Sequence, residues 1–179
     1  MDNFLIIAIT RPDFFFGEGE RINQILEENR ANYVHIRKPY AEQKSIKNLI
    51  QDINPVFHYR LKLHDHFELL DSFNLGGIHL NSRNADYHNK AKSISISCHS
   101  LDEIEKVDKF DYFFISPIFD SISKEGYHAA FDLNEVSHKI KGKRSIALGG
   151  VTPDKFPLLS SLGFTGAALL SYFFPKNNQ

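Results

Sequence analysis

Short apolar runs alternate along the chain with stretches in which apolar residues recur at three- and four-residue spacing. The runs Phe4–Ile9, Tyr33–Ile36, Tyr59–Leu63, Gly77–Leu80, Ser93–Ser97, Tyr112–Ile115, Ser145–Leu148 and Gly166–Leu169, rich in branched and aromatic residues, predict strands. The periodic stretches Arg21–Asn29, Ala41–Ile53, Phe67–Phe73, Leu101–Lys106, Leu133–Lys141 and Pro153–Leu162 predict helices. Ser100 and Thr152 stand where helix caps are expected, the latter before a proline suited to a first helical turn. A short helix is expected after Asn84, and Tyr172–Gln179 reads as a curtailed last one. Strict β-then-α order predicts a parallel sheet, and eight units predict closure into a single compact TIM-type (β/α)8 barrel, a single domain over residues 1–179. The rival architecture is a doubly wound open sheet, which six of these units would satisfy.

Composition narrows the class of function. A net charge of -1 and a pI near 6.8 give no general field for nucleic acid or an anionic membrane, so neither is an expected partner. The single Cys98 cannot form an intramolecular disulfide, which fits a cytoplasmic protein. The apolar N-terminal run is too short to span a bilayer and has no basic residues ahead of it; it reads as the first strand.

In such a barrel the chemistry sits where strands end and βα loops begin. Those junctions carry His35-Ile36-Arg37-Lys38-Pro39, His64-Asp65-His66, Asn81 to Asn84, Cys98-His99-Ser100, Ser121-x-Ser123-Lys124, Gly149-Gly150 and Ser171. Ser121, Ser123 and Lys124 offer hydroxyls and an ammonium to an anion. Gly149 and Gly150 allow close approach of backbone N–H groups to a phosphate, with a second contribution near Ser171. His99 suits proton transfer near neutral pH, and it equally suits a capping role for the helix that follows. His64 and His66 with His79 suggest a metal site, a weaker pattern than a polar loop in which Asp65 alone faces the site. Tyr127, His128 and Phe131 are lid candidates.

In this order and spacing, His35-x-Arg37, His64-Asp65, Gly77-Ile78-His79-Leu80, Ser97-x-His99-Ser100, Pro117-Ile118-Phe119 with Ser121-x-Ser123-Lys124, Leu148-Gly149-Gly150-Val151-Thr152-Pro153 and Gly163-x-x-Gly166 resemble the thiamine phosphate synthase family, whose superfamily includes the TenI-type thiazole tautomerases. The synthase resemblance implies Mg²⁺-assisted ionisation of a pyrimidine methyl pyrophosphate and capture of the cation by the nitrogen of a thiazole phosphate. It also implies a glutamine, an arginine and a lysine on the pyrophosphate and two aspartates at Mg²⁺. Here the glutamine place is His35, the arginine is Arg37 and the lysine place is Pro39, with Lys38 on the opposite side of the strand. The first aspartate is Asp65 and the second falls on Asn84; Asp86 would replace it only with an insertion.

The tautomerase branch implies a proton shift on a thiazole carboxylate phosphate, with His99 as acid/base and no metal. Phosphate would lie at Gly149, Gly150 and Ser171, with His35, Arg37, Asp65, Ser121, Ser123 and Lys124 as further substrate contacts. The broken pyrophosphate and Mg²⁺ pattern favours this branch, so the expected partner is a phosphorylated thiazole, with homo-oligomerisation left open. Alternatives are the coupling reaction with Mg²⁺ at Asp65 and Asn84, a non-catalytic thiazole phosphate-binding regulator, and a sugar-phosphate epimerase, for which no paired carboxylates or His–Asp metal set can be assembled.

Overall fold

The computed structural model describes residues 4–120 and 129–176. Strands β1 (Leu5–Ile9), β2 (Tyr33–Ile36), β3 (Leu61–Leu63), β4 (Gly77–Leu80), β5 (Ile94–Cys98), β6 (Tyr112–Ile115), β7 (Ser145–Leu148) and β8 (Gly166–Leu169) pair in parallel in chain order. β8 closes on β1, with Leu5 opposite Gly166 and Ala8 opposite Leu169. Closure excludes the open-sheet alternative. No helix among the described residues is long and apolar enough to cross a membrane.

Helices α1 (Glu18–Glu27), α2 (Gln43–Gln51), α3 (Leu101–Ile104), α4 (Leu133–Lys139) and α5 (Phe156–Ser161) cover the outside, most of them shorter than the periodicity predicts. Phe67–Asp71 is a 3₁₀ turn instead of a helix, entered through His66 in the left-handed conformation. A second 3₁₀ turn, Pro55–Arg60, takes up the start of the expected Tyr59–Leu63 strand. The stretch after Asn84 is polar, has no apolar stripe to bury, and forms no helix. Beyond β8 the amides of Phe173 and Phe174 both donate to the Leu170 carbonyl, so a single turn that buries the two rings replaces the expected last helix among the described residues. The Ser100 hydroxyl accepts from the Glu103 amide and caps α3, whereas Thr152 makes no side-chain cap.

The two-residue period of a strand sorts side chains between lumen and shell. Shell residues such as Val34, Leu63, Ile78, Phe113 and Ala167 pack with Ile22, Ile25, Ile46 and Ile50 of the helices. Their alternates Ile7, Ile9, Tyr112, Phe114, Ile146 and Ala168 form a separate cluster inside the barrel. The lumen is therefore apolar along the β6–β1 arc. On the β2–β5 arc it is polar, filled by the buried His35, Lys62, His64, His79 and Ser95.

Candidate active site

The lumen parity that buries these residues also selects the side chains at the mouth. Arg37, Asn81, His99, Ser116 and Gly150 follow the carboxyl ends of β2, β4, β5, β6 and β7, and all line one cavity of about 940 Å³. Its floor, one strand period lower, includes His64, Ser97, Phe114 and Leu148. Position, length and lining match the C-terminal face at which a barrel of this type carries its chemistry.

His99 stands exposed on this wall. Its backbone N–H donates to Glu103 Oε2 at 2.6 Å, and its Nδ1 lies 3.3 Å from the Ser116 carbonyl. A carbonyl only accepts, so Nδ1 carries the proton in this contact and Nε2 keeps the lone pair. The helix that follows is capped by Ser100, which leaves the imidazole free of that task. Among the described residues, Arg37, Arg83, Lys106 and Lys109 line the cavity against the single carboxylate of Glu103. That excess of positive charge suits an anionic ligand. Arg83 belongs to the Asn81 to Asn84 junction that the sequence singles out, whereas Lys106 and Lys109 come from the turns after α3, whose geometry no motif fixes.

Gly149 (φ +93°) and Gly150 (φ +61°) turn the chain sharply after β7. Their carbonyls are used, Gly149 O by the Phe119 amide and Gly150 O by Lys155 Nζ at 2.8 Å. Their N–H groups meet no acceptor among the described residues and lie on the cavity wall, as does the exposed Ser171. Lys155 adds a cation behind this turn. The helix beyond it, α5, begins only after the Pro153–Lys155 turn and is six residues long. Gly149 and Gly150, and not a helix N-terminus, are therefore the backbone candidates for an anion here. Ser121, Ser123 and Lys124, with the lid candidates Tyr127 and His128, lie outside the described residues, and Phe131 packs half-buried against the core.

Three expectations need correction. His35 is not on the cavity: it sits two residues deeper in β2 than Arg37, roughly 7 Å along the strand, fully buried. There its Nδ1 meets His64 Nε2 at 2.9 Å and its Nε2 meets the Tyr112 hydroxyl at 2.7 Å. Asp65 does not line the cavity either, because the lumen parity at the end of β3 belongs to its neighbour His64. Its carboxylate accepts from Asn84 Nδ2 at 2.7 Å and from Arg83 Nη2 at 3.3 Å. Asn84 therefore stands beside Asp65, but as a donor to it. His66, grouped with His64 in the metal reading, turns outward to the Ala41 carbonyl and Glu68. Lys38 also faces away from the cavity, onto Glu18 of α1.

These positions do not fit Mg²⁺. The ion favours carboxylate oxygens, and here the Asp65 oxygens face a guanidinium and an amide N–H₂. Among the described residues, the one group of three or more metal-ligating side chains is His35, His64 and His79.

A model of the thiamine monophosphate synthase family (TMP-TENI) matches residues 6–173. A solved structure of a thiamine phosphate pyrophosphorylase from Bacteroides thetaiotaomicron is 33% identical, with a TM-score of 0.82, over 94% of this chain and 83% of that one. A thiamine phosphate pyrophosphorylase from Pyrococcus furiosus (16% identity, TM-score 0.79, 98% of this chain, 90% of that one) shares the fold. So does a phosphoribosyl anthranilate isomerase from Thermus thermophilus (13% identity, TM-score 0.59, 93% and 88%). No curated protein sequence matches significantly. With a closed eight-stranded barrel and a family match over nearly its whole length, the chain belongs to the thiamine monophosphate synthase (TMP-TENI) family.

Proposed function

We propose that the cavity binds a phosphorylated thiazole and that His99 serves as acid/base in TenI-type tautomerisation of a thiazole carboxylate phosphate. The observation that carries this reading is that His99 and the N–H groups of Gly149 and Gly150 open onto the same cavity. Phosphate would be held by those amides, with the region of Ser171 and the charge of Lys155 in support. Arg37 and Arg83 supply guanidinium groups suited to the carboxylate. His99 Nε2 would take a proton from the ring carbon of the exocyclic tautomer while Nδ1–H stays on the Ser116 carbonyl. Return of that proton to the exocyclic double-bond carbon, through the conjugated anion, yields the aromatic ring, so the step conserves protons and needs no oxidant.

The test is turnover of the exocyclic thiazole tautomer by the unmodified chain and by His99→Ala. Loss of an acid/base group costs roughly two to four orders of magnitude in rate, with binding of thiazole phosphate, measured by calorimetry, retained. Normal turnover by the variant would move the role elsewhere.

A second reading, coupling of a pyrimidine methyl pyrophosphate to thiazole phosphate, draws support from the 33%-identical neighbour described as a thiamine phosphate pyrophosphorylase. The Lys38, Pro39, Asp65 and Asn84 positions speak against it. Mg²⁺-dependent pyrophosphate release is expected to be slow, with partial rescue in Asn84→Asp combined with Pro39→Lys. Robust coupling by the unmodified chain would select this second reading.

A further inference from the structure

The geometry points to a binding site for one imidazole-preferring divalent cation, of the Zn²⁺ or Co²⁺ class, held in the barrel lumen by His35, His64 and His79. Each offers one ring nitrogen within 4.8 Å of the other two, and all three side chains are buried. They come from β2, the end of β3 and β4; Lys62 is the register partner of His35, so His64 stands two residues further along β3 and lines the cavity, while His35 and His79 lie beneath it.

The hydrogen bonds settle which nitrogens are available. Ser95 Oγ donates to the Ile78 carbonyl at 3.3 Å, so it accepts from His79 Nδ1–H at 2.9 Å and leaves the lone pair on His79 Nε2. His35 Nε2 is 2.7 Å from the Tyr112 hydroxyl, while its Nδ1 faces His64 Nε2 at 2.9 Å with one proton between them. If that proton moves to His64 Nδ1, His35 Nδ1, His64 Nε2 and His79 Nε2 are the three available lone pairs. The His64 and His79 rings stack at 4.3 Å between centroids with planes 21° apart, so one ring must turn for all three to meet at one ion. The outer nitrogens of His35 and His79 then donate to Tyr112 and Ser95, the kind of second layer that orients metal-bound histidines. Zn–N bonds of about 2.0–2.1 Å place tetrahedral ligands about 3.3 Å apart, so the His35–His64 pair must open by a few tenths of an ångström and the wider pairs, which lie within 4.8 Å, must close toward that spacing. The imidazoles are held neutral by burial, as ligands must be.

The fourth position has a candidate and an entry. Ser97 Oγ lies 2.9 Å from His79 Nε2, and Ser97 and His64 both line the cavity. An ion would reach the site from the cavity and keep one coordination position toward it, the arrangement of three protein ligands plus an open place. The set is all nitrogen, which selects against Mg²⁺. Nearby Lys62 and Arg37 oppose a dication, which sets the expected affinity at micromolar rather than tighter. The site stands independently of the proposed tautomerisation, which gives no role to His35, His64 or His79 once the structure takes His35 off the cavity wall.

The test is a titration of the purified, chelator-treated full chain with Co²⁺. One equivalent is expected to bind with the visible band of four-coordinate Co²⁺, displaced by Zn²⁺ and not by a large excess of Mg²⁺. His35→Asn and His79→Asn are expected to weaken binding by roughly 100-fold or more, and His66→Asn to leave it unchanged. X-ray absorption of the Zn²⁺-loaded unmodified chain, which needs no variant to fold, is expected to show three imidazoles. Lack of stoichiometric binding, loss of binding in His66→Asn, or fewer than three imidazoles would overturn the site.

Discussion

Lys38 Nζ lies 2.7 and 2.8 Å from the two carboxylate oxygens of Glu18, in a pair whose side chains are 0% and 2% exposed. Nζ also donates to the Asp13 carbonyl and sits 4.4 Å from the centre of the Phe14 ring, so one ammonium ties the loop after β1, helix α1 and the loop after β2 together. Burial pushes the carboxyl up and the ammonium down, and their mutual contact opposes both shifts. Removing one member leaves the other buried and unpaired. Glu18→Gln is expected to lower stability by about 3–5 kcal/mol in urea unfolding, and Glu18→Leu combined with Lys38→Met to recover most of it. A double variant as unstable as the single one would show that the pair is not the source.

Gly150 carries the second prediction. At φ +61° an added Cβ would meet the Asp120 carbonyl oxygen at 2.2 Å, so Gly150→Ala must shift the turn whose amide faces the cavity. Gly142, at φ +75° with nothing within 4 Å, carries the same backbone cost without the clash. Both alanine variants should lose about 1 kcal/mol or more of stability. Only Gly150→Ala should also weaken phosphate or thiazole phosphate binding in calorimetry. Equal affinities in the two variants would remove the glycine turn from the anion site.

What the sequence made legible follows from which forces are local. Period-two alternation and loop punctuation are local, and the eight strands and their closure match the expectation closely; β2, β4, β6, β7 and β8 have the expected bounds. The same alternation, carried one step further, puts His35 a layer below Arg37 and Lys38 on the shell side. Depth along the barrel axis was the missing variable, because a family motif names positions and not layers. Asp65 was misplaced for a different reason. Its surroundings are set by Arg83 and Asn84 across a tight turn that Asn81 and Asn84 close through mutual backbone bonds, a geometry invisible in composition.

Cys98 carries a third prediction. The thiol is 1% exposed, and burial, with the Glu103 carboxylate nearby, pushes it up to about 12. A thiol reacts through its thiolate, so Cys98 is expected to resist alkylation and disulfide reagents at pH 8 in the folded protein and to react fully in denaturant. Fast labelling of the folded chain would mean that the packing over Cys98 at the cavity edge opens.

Lys62 carries the last prediction. Its ammonium is buried in the lower lumen over the rings of Tyr33 and Tyr112, at 5.1 and 4.5 Å, with Ser93 Oγ as its hydrogen-bond partner. Burial lowers it from 10.5 to about 8, with Asp111 opposing the shift. The sign follows from proton counts: between pH 8 and 10.5 the unfolded chain holds this proton and the folded chain releases it, so stability rises with pH there. Below pH 8 both forms hold the proton, and the folded state bears the full cost of the buried charge, about 3 kcal/mol at 1.36 kcal/mol per unit. Cys98 opposes this slope from about pH 9, where the unfolded chain releases a thiol proton that the folded chain keeps. The Lys62 contribution of up to about 1.4 kcal/mol per pH unit above pH 8 is therefore read as the difference between the unmodified chain and Lys62→Met in urea unfolding of chelator-treated protein from pH 7 to 9.5, below the tyrosine range. Lys62→Met keeps the stem volume and loses the charge along with its contacts to the two rings, worth about 0.5–2 kcal/mol. The variant should be the more stable chain at pH 7 by about 1–2 kcal/mol, with the advantage shrinking toward pH 9.5. A pH-independent difference between the two chains would show that the ammonium is paired well enough to offset its burial.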